Sequence, residues 1–142
     1  MTGNVGIAGT VTATGANASA VLLGGAIGGT LTVQATLTST GYTSTTLPAT
    51  QTSLGADNLL QNGPTLQVAG SVAGGMIFTA ATSTTDSSGA AVTTTAATIT
   101  SFGSAAAVQI GSASQPVTIG ALAADTNGYG CLLYTSPSPR DS

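Results

Sequence analysis

The chain has 142 residues, of which 42% are hydrophobic and only 4% charged, and its formal net charge is −3. Thr (27), Ala (24), Gly (20) and Ser (15) dominate, while His, Lys, Glu and Trp are absent. A conventional disordered tail has low hydrophobicity and high charge, so that class is disfavoured. Nucleic-acid binding through phosphate neutralisation is excluded as well, because residues 1 to 130 contain no basic side chain.

Taken in chain order, Met1-Thr2-Gly3-Asn4-Val5-Gly6 has neither the positive n-region nor the apolar h-region of a signal peptide. Met1 is read as an internal methionine. Short strands are expected near Ile7–Ala13, Ala20–Leu23 and Thr30–Leu37, separated by Gly15-Ala16-Asn17, Gly24-Gly25 and Gly28-Gly29. Glycine at such corners permits positive φ and lets neighbouring backbones approach closely. From Gly41 to Pro64 the turn punctuation of Pro48, Asp57-Asn58 and Asn62-Gly63-Pro64 predicts a protruding segment, with a helical turn over Leu54–Gln61.

Strands resume near Leu66–Val68 and Met76–Ala80. Thr82–Gly89 reads as an exposed turn. Further strands are expected at Ala91–Thr95, Thr98–Phe102, Ala107–Ile110 and Pro116–Ile119, before a tight turn at Asp125-Thr126-Asn127-Gly128. No stretch carries a 3.6-residue apolar stripe, and Thr and Gly are poor helix formers. No run of 18 strongly apolar residues exists, so a transmembrane helix is not expected.

One pattern recurs three times. Val21-Leu22-Leu23 precedes Leu31-Thr32-Val33, Leu66-Gln67-Val68 precedes Met76-Ile77-Phe78, and Val108-Gln109-Ile110 precedes Val117-Thr118-Ile119. The anchors Val21, Leu66 and Val108 lie 45 and 42 residues apart. Period-two alternation marks strands, and self-similarity at about 20–50 residues marks stacked repeats. The expectation is an all-β parallel β-helix, with protruding segments near 41–64 and 82–89; a flatter β-sandwich is the alternative, because short alternating strands suit both. The apolar residues of these triplets would point inward and stack on like residues, while Thr on the outer face forms ladders. A stack cut at both ends would expose strand edges and aggregate or be marginally stable.

The end of the chain departs from this pattern. Cys131-Leu132-Leu133-Tyr134-Thr135-Ser136-Pro137-Ser138-Pro139-Arg140-Asp141 holds the only Cys and the only basic residue. These eleven residues resemble the translation of a transposon-end adaptor used in preparing sequencing libraries. The resemblance implies two parts: residues 1–130 as β-helical fragment and 131–142 as a non-native tail. Cys131 and Arg140 are accordingly given no role.

Three carboxylates remain: Asp57, Asp86 and Asp125. Sugar hydrolysis uses two carboxyl groups held several ångströms apart, but each of these sits among small or turn-forming neighbours. No His is available to activate a Ser nucleophile. The Gly-Gly-x-Gly-x-Asp repeat of calcium-binding stacks is absent, and Gly24–Gly29 lacks the Lys of a phosphate-binding loop. Asn17-Ala18-Ser19 matches a glycosylation sequon but occurs once, as chance allows. No catalytic, cofactor-binding or metal-ligating residue is assigned, and an enzyme is not expected.

Units such as Gly9-Thr10-Val11-Thr12-Ala13-Thr14-Gly15 and Gly29-Thr30-Leu31-Thr32-Val33 resemble the passenger regions of bacterial autotransporters. Thr65 to Tyr129 looks most like alphaproteobacterial examples. The resemblance implies a right-handed parallel β-helix exported by type V secretion and anchored by its own C-terminal outer-membrane barrel beyond this segment. It also implies location on the extracellular side of the outer membrane. The expected role is structural or adhesive, with a host surface, a neighbouring cell or a glycan as partner. The alternative is a non-catalytic part of a β-helical carbohydrate-active enzyme.

Overall fold

The computed structural model describes residues 1–41, 63–123 and 131–133. Ten strands are found among these residues: β1 (Val5–Thr14), β2 (Val21–Leu23), β3 (Leu31–Thr40), β4 (Leu66–Val68), β5 (Met76–Phe78), β6 (Thr82–Thr85), β7 (Ala91–Thr94), β8 (Thr98–Phe102), β9 (Val108–Ile110) and β10 (Cys131–Leu133). No helix occurs among the described residues. The expected all-β class is what the chain adopts.

Parallel pairing dominates. The first sheet has the order β1-β3-β5-β10, with β8 also pairing β3. One half of β3 pairs β5 (Leu31 with Met76) and the other half pairs β8 (Thr36 with Thr98). The second sheet has the order β2-β4-β9, aligning Val21, Leu66 and Val108 in one row and Leu23, Val68 and Ile110 in another. A third line consists of single parallel bridges joining Ile27, Val72 and Ile119. The anchors of the recurring sequence pattern are therefore physical neighbours in the second sheet.

Alternation decides which side chains turn inward. Along β3, Leu31, Val33, Ala35 and Leu37 are buried and the residues between them are half-buried, as a period of two requires. Leu66, Val68, Val72 and Met76 join them at 0% exposure, and Ile27 and Phe78 complete the core. Each fully buried aliphatic side chain contributes about 1.5–3 kcal/mol before the entropy cost of ordering it. Val5, Ile7, Val21, Val108 and Ile119 lie in rows with these residues but are only partly buried, because they flank the middle strands rather than lying between two others. Ile110, expected to point inward, is 43% exposed for the same reason: it pairs with Val68 on one side of its row.

Three polar residues, Ser39, Thr40 and Thr65, are buried among the described residues, and none leaves a side-chain polar atom unsatisfied. Ser39 and Thr65 are fully buried, and their hydroxyl oxygens lie 2.6 Å apart. The Thr65 hydroxyl donates to the Thr100 carbonyl at 3.0 Å and the Ser39 hydroxyl to the Gly63 carbonyl at 3.4 Å, so main-chain acceptors serve both members of the pair. The corners are equally tight. Gly70 and Gly74 pack directly on the backbone of the preceding corner, at Gly25 and Gly29 respectively, leaving no room for a Cβ.

The chain departs from the sequence reading at three places. Pro116–Ile119 is not a strand: Pro116 has no N–H to give a ladder, and only Ile119 forms a bridge, to Val72. Val117-Thr118-Ile119 therefore does not stack on Leu31–Val33 and Met76–Phe78, and Cys131–Leu133 pairs with Met76–Phe78 instead. The span Thr82–Gly89 is exposed as expected but is more than a turn. It supplies β6 and the turn of an antiparallel hairpin whose second arm is β7. Ala91–Thr95 accordingly belongs to this hairpin and not to the parallel sheets. The helical turn expected at Leu54–Gln61, most of the segment 41–64, the turn at 125–128 and residues 134–142 lie outside the described residues.

Candidate functional site

Chemistry-bearing residues are few, and their placement is informative. Asp86 closes the β6–β7 hairpin. Its Oδ1 accepts from the Ser88 hydroxyl at 2.6 Å and from the Ser88 and Ala90 amides at 2.9 Å each. A short carboxylate that gathers nearby donors is what a tight turn needs. These donors, the Ser88 hydroxyl foremost, hold the Asp86 carboxyl below the ordinary aspartate value. Asp86 is thus a turn residue, as its neighbours in sequence predicted. Asp57 and Asp125 lie outside the described residues.

The sign of the Asp86 effect gives a prediction. Its folded-state pKa lies below that of the unfolded chain, so its contribution is complete above the unfolded value and is lost as pH falls through the folded one. Carboxyl NMR should find Asp86 titrating below the same residue in a hairpin-sequence peptide. The exchange protection of the Ala90 amide should fall over the same acid range. Asp86→Ala should abolish that pH dependence; equal titration in protein and peptide would contradict it.

Other groupings carry less. Among the described residues, no set of three His, Cys, Asp or Glu side chains could hold a metal ion. No helix among them is long and apolar enough to cross a membrane. Ser39, fully buried, shares a hydrogen bond with Thr65 and has no base beside it among the described residues. Cys131 lies in β10. A depression of about 480 Å³ beside Met1, Ile27, Ser71 and Thr118 is lined by no ionisable side chain.

The outer face of the first sheet carries the longest strand ladder among the described residues. Parallel register places Thr10, Thr36 and Thr98 in one row and Thr12, Thr38 and Thr100 in the next. Thr10, Thr12 and Thr98 are exposed, and Thr36, Thr38 and Thr100 are half-buried. The hairpin rises at one margin, where a groove of about 270 Å³ separates Thr10, Gln34 and Thr36 from Thr94 and Thr95. Sequence reading anticipated outer-face threonine ladders but could not align them. The Thr-x-Thr triplets at 10–12, 36–38 and 98–100 are unequally spaced, and the hairpin inserted before β8 hides the last one.

Comparisons with protein-family models, with curated proteins and with solved structures find no match for this chain. Fold and surface together define a class: an all-β protein of parallel sheets with an uncharged, threonine-rich face.

Proposed function

We propose that the chain is a segment of a right-handed parallel β-helix serving as a structural or adhesive passenger of autotransporter type, exposed on the cell surface. The observation that carries this reading is the row Val21–Leu66–Val108, repeated by Ile27–Val72–Ile119. The chain visits the first sheet, the second sheet and the bridge line in the same order on successive passes. Parallel crossovers of this kind are almost always right-handed. Successive passes pair their main-chain groups with one another, which suits a chain with almost no charge. The β6–β7 hairpin, together with the segment 41–64 that the sequence pattern expects to protrude, is best suited to carry adhesive contacts, because insertions in repeats gather at the surface and vary there.

The test is to place the chain between a secretion leader and a C-terminal outer-membrane barrel and to display it on bacterial cells. It should reach the surface in a protease-resistant form and increase attachment to glycan-coated or neighbouring-cell surfaces. Digestion as fast as an unfolded control would overturn the β-helical reading. Display of a folded chain with unchanged attachment would overturn the adhesive role.

A further inference from the structure

We propose that the outer face of the first sheet binds ice, through the two threonine rows Thr10–Thr36–Thr98 and Thr12–Thr38–Thr100. This inference rests on strand register alone and is independent of any secretion route. Parallel strands repeat about every 4.7–4.9 Å across a sheet, and alternate residues on one face repeat about every 6.6–6.8 Å along a strand. Register-matched threonines on three neighbouring strands therefore form a two-by-three lattice with those two repeats. Hexagonal ice presents oxygen–oxygen repeats close to both on its prism faces.

The residue type matters as much as the spacing. Threonine is β-branched and restricted at χ1, so each position offers a hydroxyl and a methyl with little freedom to lose. The hydroxyl bonds lattice water, while the methyl orders water without competing for it. Leu37, fully buried beneath the centre of the lattice, and Ile99, packed against the same core, hold the rows in place. The flanking positions are uncharged: Ala8 and Gln34 on one side, and the row of exposed Thr14, buried Thr40 and half-buried Phe102 on the other. A phosphate or acidic polymer finds no cation here, and the one aromatic residue beside the rows, Phe102, is half-buried and so presents a sugar with only part of its ring. A neutral, periodic partner remains, and crystalline water is the one whose period fits.

The hairpin limits the accessible plane at the Thr94–Thr95 side, so the small lattice predicts ice shaping and inhibition of recrystallisation rather than a large freezing-point gap. The whole chain, purified and mixed with slowly growing polycrystalline ice, should be enriched in the ice fraction and should keep grains small in an annealed frozen film. Thr38→Lys, at the middle of the lattice, should lose both properties. Leu22→Lys, which adds the same charge at a 60% exposed site on the second sheet, should retain both. Thr12→Lys, at an exposed site on β1, repeats the test should Thr38→Lys fail to fold by circular dichroism. Exclusion of the unaltered chain from ice, or retention of activity in a folded lattice variant, would overturn the proposal.

Discussion

Leu66→Ala is expected to destabilise the chain by about 2–5 kcal/mol, the range for a large buried aliphatic residue cut to alanine where the surroundings collapse only in part. Leu66 is fully buried and lies in its row between Val21 and Val108, so the cavity opens between two paired strands. Small proteins are stable by only about 5–15 kcal/mol, so the loss is a substantial part of the total. Ile110→Ala removes a comparable side chain from the same sheet, but Ile110 is 43% exposed. Its cost should stay below about 1 kcal/mol, as for most exposed positions. Denaturant titration reads both as shifts in midpoint at unchanged slope. Equal shifts for the two variants would mean that the second sheet does not place Leu66 in the middle.

Gly70→Ala should be nearly as damaging, for a steric reason. A Cβ at Gly70 would overlap the Gly25 carbonyl and lie 2.8 Å from the Ala26 nitrogen. Both obstacles are backbone, so relief requires prising two corners apart. That movement strains the bonds from Ala69 N to Leu23 O and from Ile27 N to Ser71 O, each 2.8 Å. Overpacking costs about 1–3 kcal/mol, and the stretched backbone bonds put this variant at the upper end. Gly24→Ala supplies the contrast. Nothing lies within 4 Å of a Cβ there, and the backbone is not in the left-handed region. Loss of unfolded-state freedom should make that change neutral or mildly stabilising. Thermal unfolding of the pair distinguishes them, and a silent Gly70→Ala would contradict the close stacking of corners.

Particular residues show why some features were legible in the sequence and others were not. Val21, Leu66 and Val108 each open an apolar-x-apolar triplet, and nearly equal spacing was enough to align them. The third unit misled because Val72 lies six positions after Leu66 but Ile119 lies eleven positions after Val108. That insertion contains Pro116 and a tight turn in which the Ser112 amide donates to the Gln115 carbonyl. Val117–Ile119 thus resembles Met76–Phe78 in composition while occupying the bridge line with Val72. The hairpin escaped notice because Thr82–Thr85 is exposed on both faces, so no apolar alternation marks it as strand. Asp86 was readable as a turn because its bonding partners lie within four residues. The threonine lattice was only half readable, since its residue type is local but its register is not.

Residue pattern alone determined the β class, the inward positions of Leu31, Val33, Leu66, Val68, Met76 and Phe78, and the absence of basic chemistry in residues 1 to 130, because each follows from local preference or from counting. Tertiary structure decided which strands lie in the middle, which corners close on one another and which threonines share a row. Leu31 and Val5 are both apolar strand residues in one row, yet Leu31 is fully buried and Val5 is not. The difference is a second neighbouring strand, and pairing between residues 26 or 45 positions apart is a property of the folded chain rather than of either segment.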